Sequence, residues 1–378
     1  MRLDAFTKRV MRKNKSNQSR LPLTISAQYG LVDQITFFNK VVASTDLSNY
    51  YLLKKGEFAY NKSYSSDYPW GAIKRLDNYD QGALSSLYIC FAPQDNVVSD
   101  FILQYFESPK WHKGISEIAV EGARNHGLLN VAVQDFFHTY HYVPKDKKEQ
   151  IKISKLLMLL DERIATQSKI IEDLKKLKSA IIENHYNQAE KQTASIADLG
   201  EPFSVGNLAK DDLTETGMPC VVYGELFTTY GETISQIESH TNKTTGMILS
   251  KKGDLLFPSS TTVDAMSLIA PSVINVDGVI LGGDMFGIHI NHNYNAQYLS
   301  YYFNHIAKRQ LAKFAKGSTI IHLHYTDIEK AKLLLPSLEE QNRMAKCLMS
   351  LDTKIDLEDE YLNILNCQKT YLLRQMFI

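Results

Sequence analysis

The chain has 378 residues, 44% apolar and 22% charged, which is enough to bury the cores of two or three domains. Its 42 lysines and arginines balance 42 aspartates and glutamates, which excludes a uniformly basic surface but allows local basic patches. No apolar run approaches the roughly 20 residues that span a bilayer, and no apolar signal segment follows the basic N-terminus. The four cysteines lack CxxC spacing, so we expect reduced thiols in a cytoplasmic protein without a membrane partner.

An internal repeat organises the sequence. Lys54-Lys55-Gly56-Glu57 recurs as Lys251-Lys252-Gly253-Asp254, 197 positions later, and Glu149-Gln150 recurs as Glu340-Gln341, 191 positions later. Each copy is about 190 residues long. This spacing predicts one fold that is used twice, with different side chains suited to two different targets.

The first copy begins with a region of mixed pattern. Strand-like runs occur at 21–27, 86–91 and 138–143, and apolar residues at helical spacing predict a helix over 98–106. Residues 1–20 carry seven basic side chains against a single acidic one. These side chains can donate hydrogen bonds to phosphates and base edges, although a solvated basic tail remains an alternative.

Two further segments of the first copy are candidates for reading DNA bases. Residues 60–66 mix aromatic, basic and amide groups, which fits a base-reading loop as well as an ordinary polar turn. Residues 124–126 lie in a glycine-bounded loop whose length differs between the copies, as is typical of loops that carry specificity. The predicted DNA contacts of this copy are Arg9, Arg12, Lys13, Asn14, Lys15, Asn61, Lys62, Ser63, Tyr64, Lys74, Arg124, Asn125 and His126.

A long helix follows, with apolar residues spaced alternately by four and three. This register predicts one side of a coiled coil, and the polar residues Gln167 and Lys178 interrupt it. Its predicted seam comprises Leu157, Leu160, Ile164, Ile171, Leu174 and Ile181.

The second copy repeats the mixed region, with a helix predicted over 296–303. Hydroxyl side chains at 259–262 occupy the positions that match 62–65, and a second variable loop follows at 313–324. Hydroxyl, lysine and imidazole groups suit contacts to phosphates and base edges. The predicted DNA contacts here are Ser259, Ser260, Thr261, Thr262, Lys316, Ser318, Thr319 and His322.

The second long helix carries the same register 191 residues later. Glu358 and Lys369 interrupt it where Gln167 and Lys178 interrupt the first, and polar seam residues fix register and partner choice. A helix of about 38 residues extends ~57 Å. The predicted seam of this helix comprises Leu348, Leu351, Ile355, Leu362, Leu365 and Leu372.

The two seams predict an α+β protein of two mixed α/β domains, separated by a long antiparallel two-helix coiled coil with a pseudo-two-fold axis. The predicted boundaries are 1–145, 146–190, 191–336 and 337–378. A zipper formed with a second chain is the alternative. Two complementary seams on one chain favour pairing within the chain, where their effective concentration is high.

No catalytic or metal site is predicted. His322-x-His324 and His138-x-x-His141 each lack a third ligand, so polar loop residues are the better interpretation. The sequence also lacks an amino-methylation motif, a Walker lysine and a nuclease motif. These absences argue against an enzyme with a fused nuclease or methyltransferase.

The doubled arrangement resembles the specificity subunit of type I restriction–modification systems. The resemblance rests on Pro144 with Glu149-Gln150, on the segment Pro336 to Gln341, and on the closing segment Tyr371 to Phe377. Residues 24–30 and 60–64 are also similar to the family, and the likeness covers essentially the whole chain.

The resemblance implies a restriction system in which each globular part is a target recognition domain that reads half of a split DNA sequence. It implies that the helices set the spacing and dock two methyltransferase subunits and the restriction subunits, which combine motor and nuclease. It also implies that this chain holds no cofactor, whereas the complex uses S-adenosylmethionine, ATP and Mg²⁺. A protein–protein adaptor with two ligand domains on a coiled-coil ruler is the alternative.

Overall fold

The computed structural model describes residues 1–119 and 127–377, and the chain divides into two compact units. Unit 1 comprises Met1–Ser168 with Glu360–Ile378, and unit 2 comprises Lys169–Asp359. Each long helix therefore contributes one part to each unit.

Within its described residues, unit 1 is built on two four-stranded sheets and four short helices. Its strands are β1 (Thr7–Arg9), β2 (Pro22–Ser26), β3 (Gly30–Asp33), β4 (Tyr51–Lys54), β5 (Phe58–Asn61), β6 (Ala72–Arg75), β7 (Gln81–Leu84) and β8 (Ile89–Pro93). Its short helices are α1 (Gln34–Phe38), α2 (Ser99–Glu107), α3 (His112–Ile118) and α4 (Val133–His138), with 3-10 turns at Leu3–Ala5, Lys15–Asn17 and Pro109–Trp111. The first sheet has the order β1-β8-β5-β6 and the second β3-β2-β7-β4.

Between the copies lies the first long helix, α5 (Lys147–Gln188). Unit 2 then holds strands β9 (Gln192–Ser195), β10 (Gly200–Ser204), β11 (Leu213–Thr214), β12 (Met218–Val222), β13 (Thr233–Ile234), β14 (Ser239–Thr241), β15 (Ile248–Leu249), β16 (Asp254–Pro258), β17 (Ser260–Thr261), β18 (Ser272–Ile274), β19 (Ile280–Gly282), β20 (Met285–Ile290), β21 (Ile321–His322) and β22 (Lys332–Leu335). Its short helices are α6 (Glu225–Thr228), α7 (Ala265–Leu268), α8 (Ala296–His305), α9 (Lys308–Leu311) and α10 (Tyr325–Ile328), with 3-10 turns at Ile196–Asp198, Lys210–Asp212 and Ala312–Phe314. The second long helix, α11 (Leu338–Gln375), follows.

The predicted repeat is visible in the strand order. Unit 2 contains sheets of order β10-β20-β16-β18-β13 and β11-β14-β12-β19-β15, which match the two sheets of unit 1 apart from one added strand each. The parallel pair β2–β7 aligns Leu23 with Leu84, and the parallel pair β12–β19 aligns Val221 with Leu281. The two copies therefore share one topology. Helices α2 and α8 lie where the sequence predicts them.

The most similar sequence motif of the two copies forms a turn. In unit 1 the Glu57 carboxylate accepts a hydrogen bond from the Lys54 backbone N at 2.7 Å, and in unit 2 the Asp254 carboxylate accepts from the Lys251 backbone N at 2.8 Å. The glycine of each motif has a positive φ, 84° and 92°, which side chains other than glycine rarely adopt. The motif therefore has a structural role in both units.

A buried glutamine fastens each long helix to its own unit. The Gln150 Oε1 accepts from the Val98 backbone N at 2.7 Å, and its Nε2 donates to the carbonyl oxygen of Pro144, also at 2.7 Å. Gln341 makes the equivalent bonds to the Asn295 N at 3.0 Å and to the carbonyl of its own preceding proline at 2.9 Å. The paired Glu-Gln motifs thus mark the positions where the helices are held.

The two long helices pack against each other within each unit, with opposite chain directions. In unit 1, Lys369 Nζ of α11 lies 2.5 Å from Asp161 Oδ1 of α5. In unit 2, Lys178 Nζ of α5 lies 2.5 Å from Asp352 Oδ1 of α11. Two of the polar positions that interrupt the predicted seams therefore form equivalent ion pairs between helices. All twelve predicted apolar seam residues are buried or half-buried.

The run 138–143, which the sequence predicts as a strand, is instead the end of α4 and a loop with a single bridge between Arg2 and Tyr140. Its alternation is real, because Tyr140 and Tyr142 are exposed whereas His141 is buried. The His141 ring lies 3.0 Å from the Tyr105 hydroxyl and 2.7 Å from the Thr139 hydroxyl. Burial and the N-terminal ammonium group lower its pKa to about 4.

Acid should therefore destabilise unit 1 through His141. The unfolded chain binds this proton near pH 6.5 but the folded chain only near pH 4, so stabilisation present above pH 6.5 is lost as the pH falls towards 4. The contribution is about 3 kcal/mol at most, from 1.36 kcal/mol per pKa unit. Thermal unfolding across this range should show a flatter pH profile for His141→Asn than for the unaltered chain. Identical slopes would contradict the assignment.

Candidate nucleic-acid interface

In unit 2 the fold brings together two segments that the sequence identifies separately. Strands β17 and β21 pair antiparallel, with Ser260 opposite His322 and Thr261 opposite Ile321. The Leu323 backbone N donates to the Ser259 carbonyl at 2.9 Å and extends this ladder. The hydroxyl segment and the second variable loop therefore form one continuous edge.

The variable loop is a hairpin closed by Lys316 and His322. Their backbone groups exchange hydrogen bonds of 2.9 and 2.7 Å. Gly317 has φ +115°, and a Cβ there would lie 2.0 Å from the Ile320 carbonyl oxygen, so the turn requires glycine. Ser318 and Thr319 stand exposed at the tip, whereas the Lys316 ammonium pairs with Asp327.

Beside this edge lies a cleft of about 830 Å³. Its polar lining includes Ser260, Thr261 and Thr262 together with His322. Several further lining residues carry no signal in the sequence, because they come from distant parts of the chain: Tyr223, Phe227, Glu232 and Asp284. A cleft that combines aromatic faces, hydroxyls and a carboxylate offers both donors and acceptors to base edges.

Unit 1 presents the corresponding edge. Ser63 forms a bridge with Leu128, the Tyr64 N donates to the Gly127 carbonyl at 2.9 Å, and the Leu129 N donates to the Lys62 carbonyl at 2.9 Å. The predicted loop 60–66 therefore begins at the end of β5 and is paired, from Lys62 onwards, with the segment that follows the first variable loop. The predicted contacts Arg124, Asn125 and His126 lie outside the described residues.

The basic segment at the start of unit 1 is folded rather than a tail. Arg12 pairs with Glu57 at 2.7 Å, and the Lys13 ammonium lies 4.5 Å from the centre of the Tyr51 ring. Arg9, Arg12, Lys13 and Lys15 are exposed.

Four predicted contacts are corrected by the structure. Asn14 is fully buried, and its amide bonds to the backbone of Ser19 and Leu47, so it holds the segment together. Ser259 and Ser260 are also buried, which leaves Thr261 and Thr262 as the accessible hydroxyls of this segment. The Lys74 ammonium is 2.6 Å from Glu107 and largely shielded, so its charge is already neutralised. Most of the groups that bond to these residues are remote in sequence, so the local sequence pattern does not predict them.

Glu232 links the cleft of unit 2 to the long helices. Its carboxylate lies 3.2 Å from Lys178 Nζ on α5 and 2.8 Å from His305 Nε2 on α8. Burial opposes its ionisation, but the His305 hydrogen bond and the Lys178 charge outweigh burial and lower the pKa of Glu232 to about 2. This carboxylate is therefore charged at neutral pH and anchors the floor of the cleft to α5.

Within residues 1–119 and 127–377, no group of three or more His, Cys, Asp or Glu side chains is placed to hold a metal ion. The same ranges contain no helix whose length and hydropathy would suit a bilayer crossing.

Comparison with known proteins places this geometry in a family. The family model of the type I restriction modification DNA specificity domain matches residues 189–366. The specificity subunit of the type I restriction enzyme MjaVIII from Methanocaldococcus jannaschii is 24% identical over 304 residues, covering 74% of this chain and 69% of the relative.

Two solved structures share the fold. The S subunit of the type I restriction-modification system from M. genitalium has a TM-score of 0.60 at 15% identity, covering 100% of this chain and 95% of that chain. A chain from a study of complex assembly and conformational transition of the type I R-M system has a TM-score of 0.59 at 14% identity, covering 99% and 95%.

The matched segment makes unit 2 a DNA specificity domain, and unit 1 repeats its strand order. Residues 189–366 belong to the type I restriction modification DNA specificity domain family, and the chain as a whole is similar to type I specificity subunits, as the sequence predicts.

Proposed function

We propose that each unit reads one half of a bipartite double-stranded DNA target through its paired edge. The observation that supports this proposal is that one topology presents the same edge twice with different side chains: Ser63 and Tyr64 in unit 1, and Thr261 and Thr262 in unit 2. A repeated scaffold with altered edge chemistry suits two half-sites of different sequence.

The long helices set the separation of the half-sites in this proposal. Helices α5 and α11 have 42 and 38 residues, and neither contains glycine or proline. One turn of B-DNA rises ~34 Å, and an uninterrupted helix of 38 residues extends ~57 Å. Stiff helices fix the distance between the two DNA-reading units, whereas a flexible linker would let that distance vary.

The same helices are the proposed docking sites for two methyltransferase subunits and, through the complex, for the restriction subunits. Large apolar side chains stand exposed on them, including Leu156 and Leu159 on α5 and Leu357 and Ile364 on α11. Exposed apolar groups on a helix favour a protein partner. The chain itself is proposed to be non-catalytic and cytoplasmic, with S-adenosylmethionine, ATP and Mg²⁺ bound by its partners.

Removing hydroxyl groups from one edge should relax only one half of the recognised sequence. We expect Thr261→Val with Thr262→Val to lower discrimination within one half-site by about 1–3 kcal/mol for each base that is no longer hydrogen-bonded. The purified complex would methylate a random DNA pool, and sequencing of methylated adenines would report the target.

Ser63→Ala with Tyr64→Phe is the matched variant in unit 1, and it should relax the other half-site. If either pair relaxes both halves together, or neither pair changes the target, the proposal of independent readers is wrong.

A further inference from the structure

Asp284 is an exposed carboxylate in the DNA-reading edge of unit 2. It lies in the turn between β19 and β20, and its backbone carbonyl accepts from the Ser259 N at 2.8 Å, which fixes it beside β17. It lines the same cleft as Thr261 and His322.

The Asp284 carboxylate differs from the other acidic groups around this edge. Asp327 pairs with Lys316, and Glu232 pairs with Lys178 and His305. No hydrogen bond or ion pair to the Asp284 carboxylate is found within residues 1–119 and 127–377. Among the described residues, the Asp284 carboxylate is therefore a hydrogen-bond acceptor without a partner.

A carboxylate near phosphates is repelled unless it meets a hydrogen-bond donor on the DNA. In the major groove, adenine presents its N6 amino group and cytosine its N4 amino group, whereas guanine and thymine present only acceptors along with the thymine methyl. A carboxylate there favours an amino-bearing base and also rejects the other two, which is how unpaired acceptors create specificity.

The repeat places an apolar residue at the same position in unit 1. Tyr60 pairs with Ile89 in the β5–β8 ladder, and Phe257 pairs with Phe286 in the β16–β20 ladder. Leu87 lies two residues before Ile89, and Asp284 lies two residues before Phe286. Leu87 and Asp284 are therefore at equivalent positions of the repeat. Leu87 is 72% exposed and belongs to none of the apolar core clusters of the described residues. An apolar side chain at a base edge suits the thymine methyl group.

We propose that Asp284 and Leu87 are equivalent specificity-determining residues. Asp284 accepts a hydrogen bond from the exocyclic amino group of an adenine or cytosine in the half-site of unit 2. Leu87 contacts a thymine methyl in the half-site of unit 1. This inference rests on the proposed function, because it assumes that the two edges read DNA.

The test is the methylated sequence profile of the assembled complex carrying Asp284→Asn. The side chain keeps its shape, and its amide gains a donor for guanine and thymine. We expect one position of a single half-site to lose its rejection of guanine and thymine, with discrimination against them falling roughly tenfold to a hundredfold. Leu87→Ala should lower the preference for thymine at one position of the other half-site.

Asp211→Asn is the matched control, because it removes the same charge from an exposed residue of unit 2 that does not line the cleft. It should leave the profile unchanged. An unchanged profile for Asp284→Asn, with Thr261→Val and Thr262→Val still relaxing that half-site, would overturn this inference and leave the proposed function standing. If none of these cleft substitutions alters the profile, the proposed reading edge itself is wrong.

Discussion

Leu157→Asp should unfold unit 1 and abolish methylation by the complex. Leu157 is 0% exposed and lies in the apolar core that also contains Phe101, Leu373 and Phe377, so it joins α5 to the globular part and to the end of α11. An unpaired carboxylate in such a place costs several kcal/mol, and removal of the leucine side chain adds about 2–5 kcal/mol. Because the free energy of unfolding of a domain is only about 5–15 kcal/mol, a loss of this size is enough to unfold unit 1.

Denaturant unfolding followed by circular dichroism would measure the effect, and Leu159→Asp is its control. Leu159 lies two residues away on the same helix but is 53% exposed, so the same chemical change should leave the unfolding free energy nearly unchanged. Equal destabilisation by both substitutions would contradict the seam described for α5.

Leu357→Asp combined with Ile364→Asp should prevent assembly with a methyltransferase subunit without unfolding the chain. The two side chains are 56% and 62% exposed and lie seven residues apart on α11, hence on one face of the helix. Buried apolar anchors of an interface contribute about 2 kcal/mol or more each. Together they should weaken association roughly a thousandfold, since 1.4 kcal/mol corresponds to a factor of ten.

Light scattering after gel filtration of the mixed subunits would report this assembly. Asn363→Asp with Gln368→Glu adds the same two charges at exposed polar positions of α11 and should leave assembly intact. If the control pair blocks assembly as well, the added negative charge is responsible and the apolar contact is not. If neither pair affects assembly, this face of α11 is not the docking site.

The repeat and the long helices could be predicted because their signals are local and periodic. The register of four and three residues identified both helices, and it also identified Lys178 and Lys369 as equivalent polar positions. Their partners Asp352 and Asp161 come from the other helix, so the ion pairs appear only once the chain is folded.

The individual site residues were harder to predict because their surroundings are built from remote segments. Asn14 and Lys74 are residue types that often contact DNA. In the folded chain, however, the Asn14 amide donates to the Leu47 carbonyl and the Lys74 ammonium pairs with the Glu107 carboxylate. The strand-like alternation around His141 reflects one buried imidazole between two exposed tyrosines, and its backbone pairs only with the short segment 1–3 among the described residues. Asp284 carries no motif, and its place is set by the pairing of β16 with β20 and by the hydrogen bond from the Ser259 N to its carbonyl oxygen.

The central claim is that two copies of one fold read two half-sites independently. It is tested most directly by replacing residues 1–145 with the corresponding segment of another type I specificity subunit and sequencing the adenines that the assembled complex methylates. We expect one half of the bipartite target to change completely, with the other half and the spacing between them retained. A change in both halves, or methylation without any sequence preference, would contradict the claim.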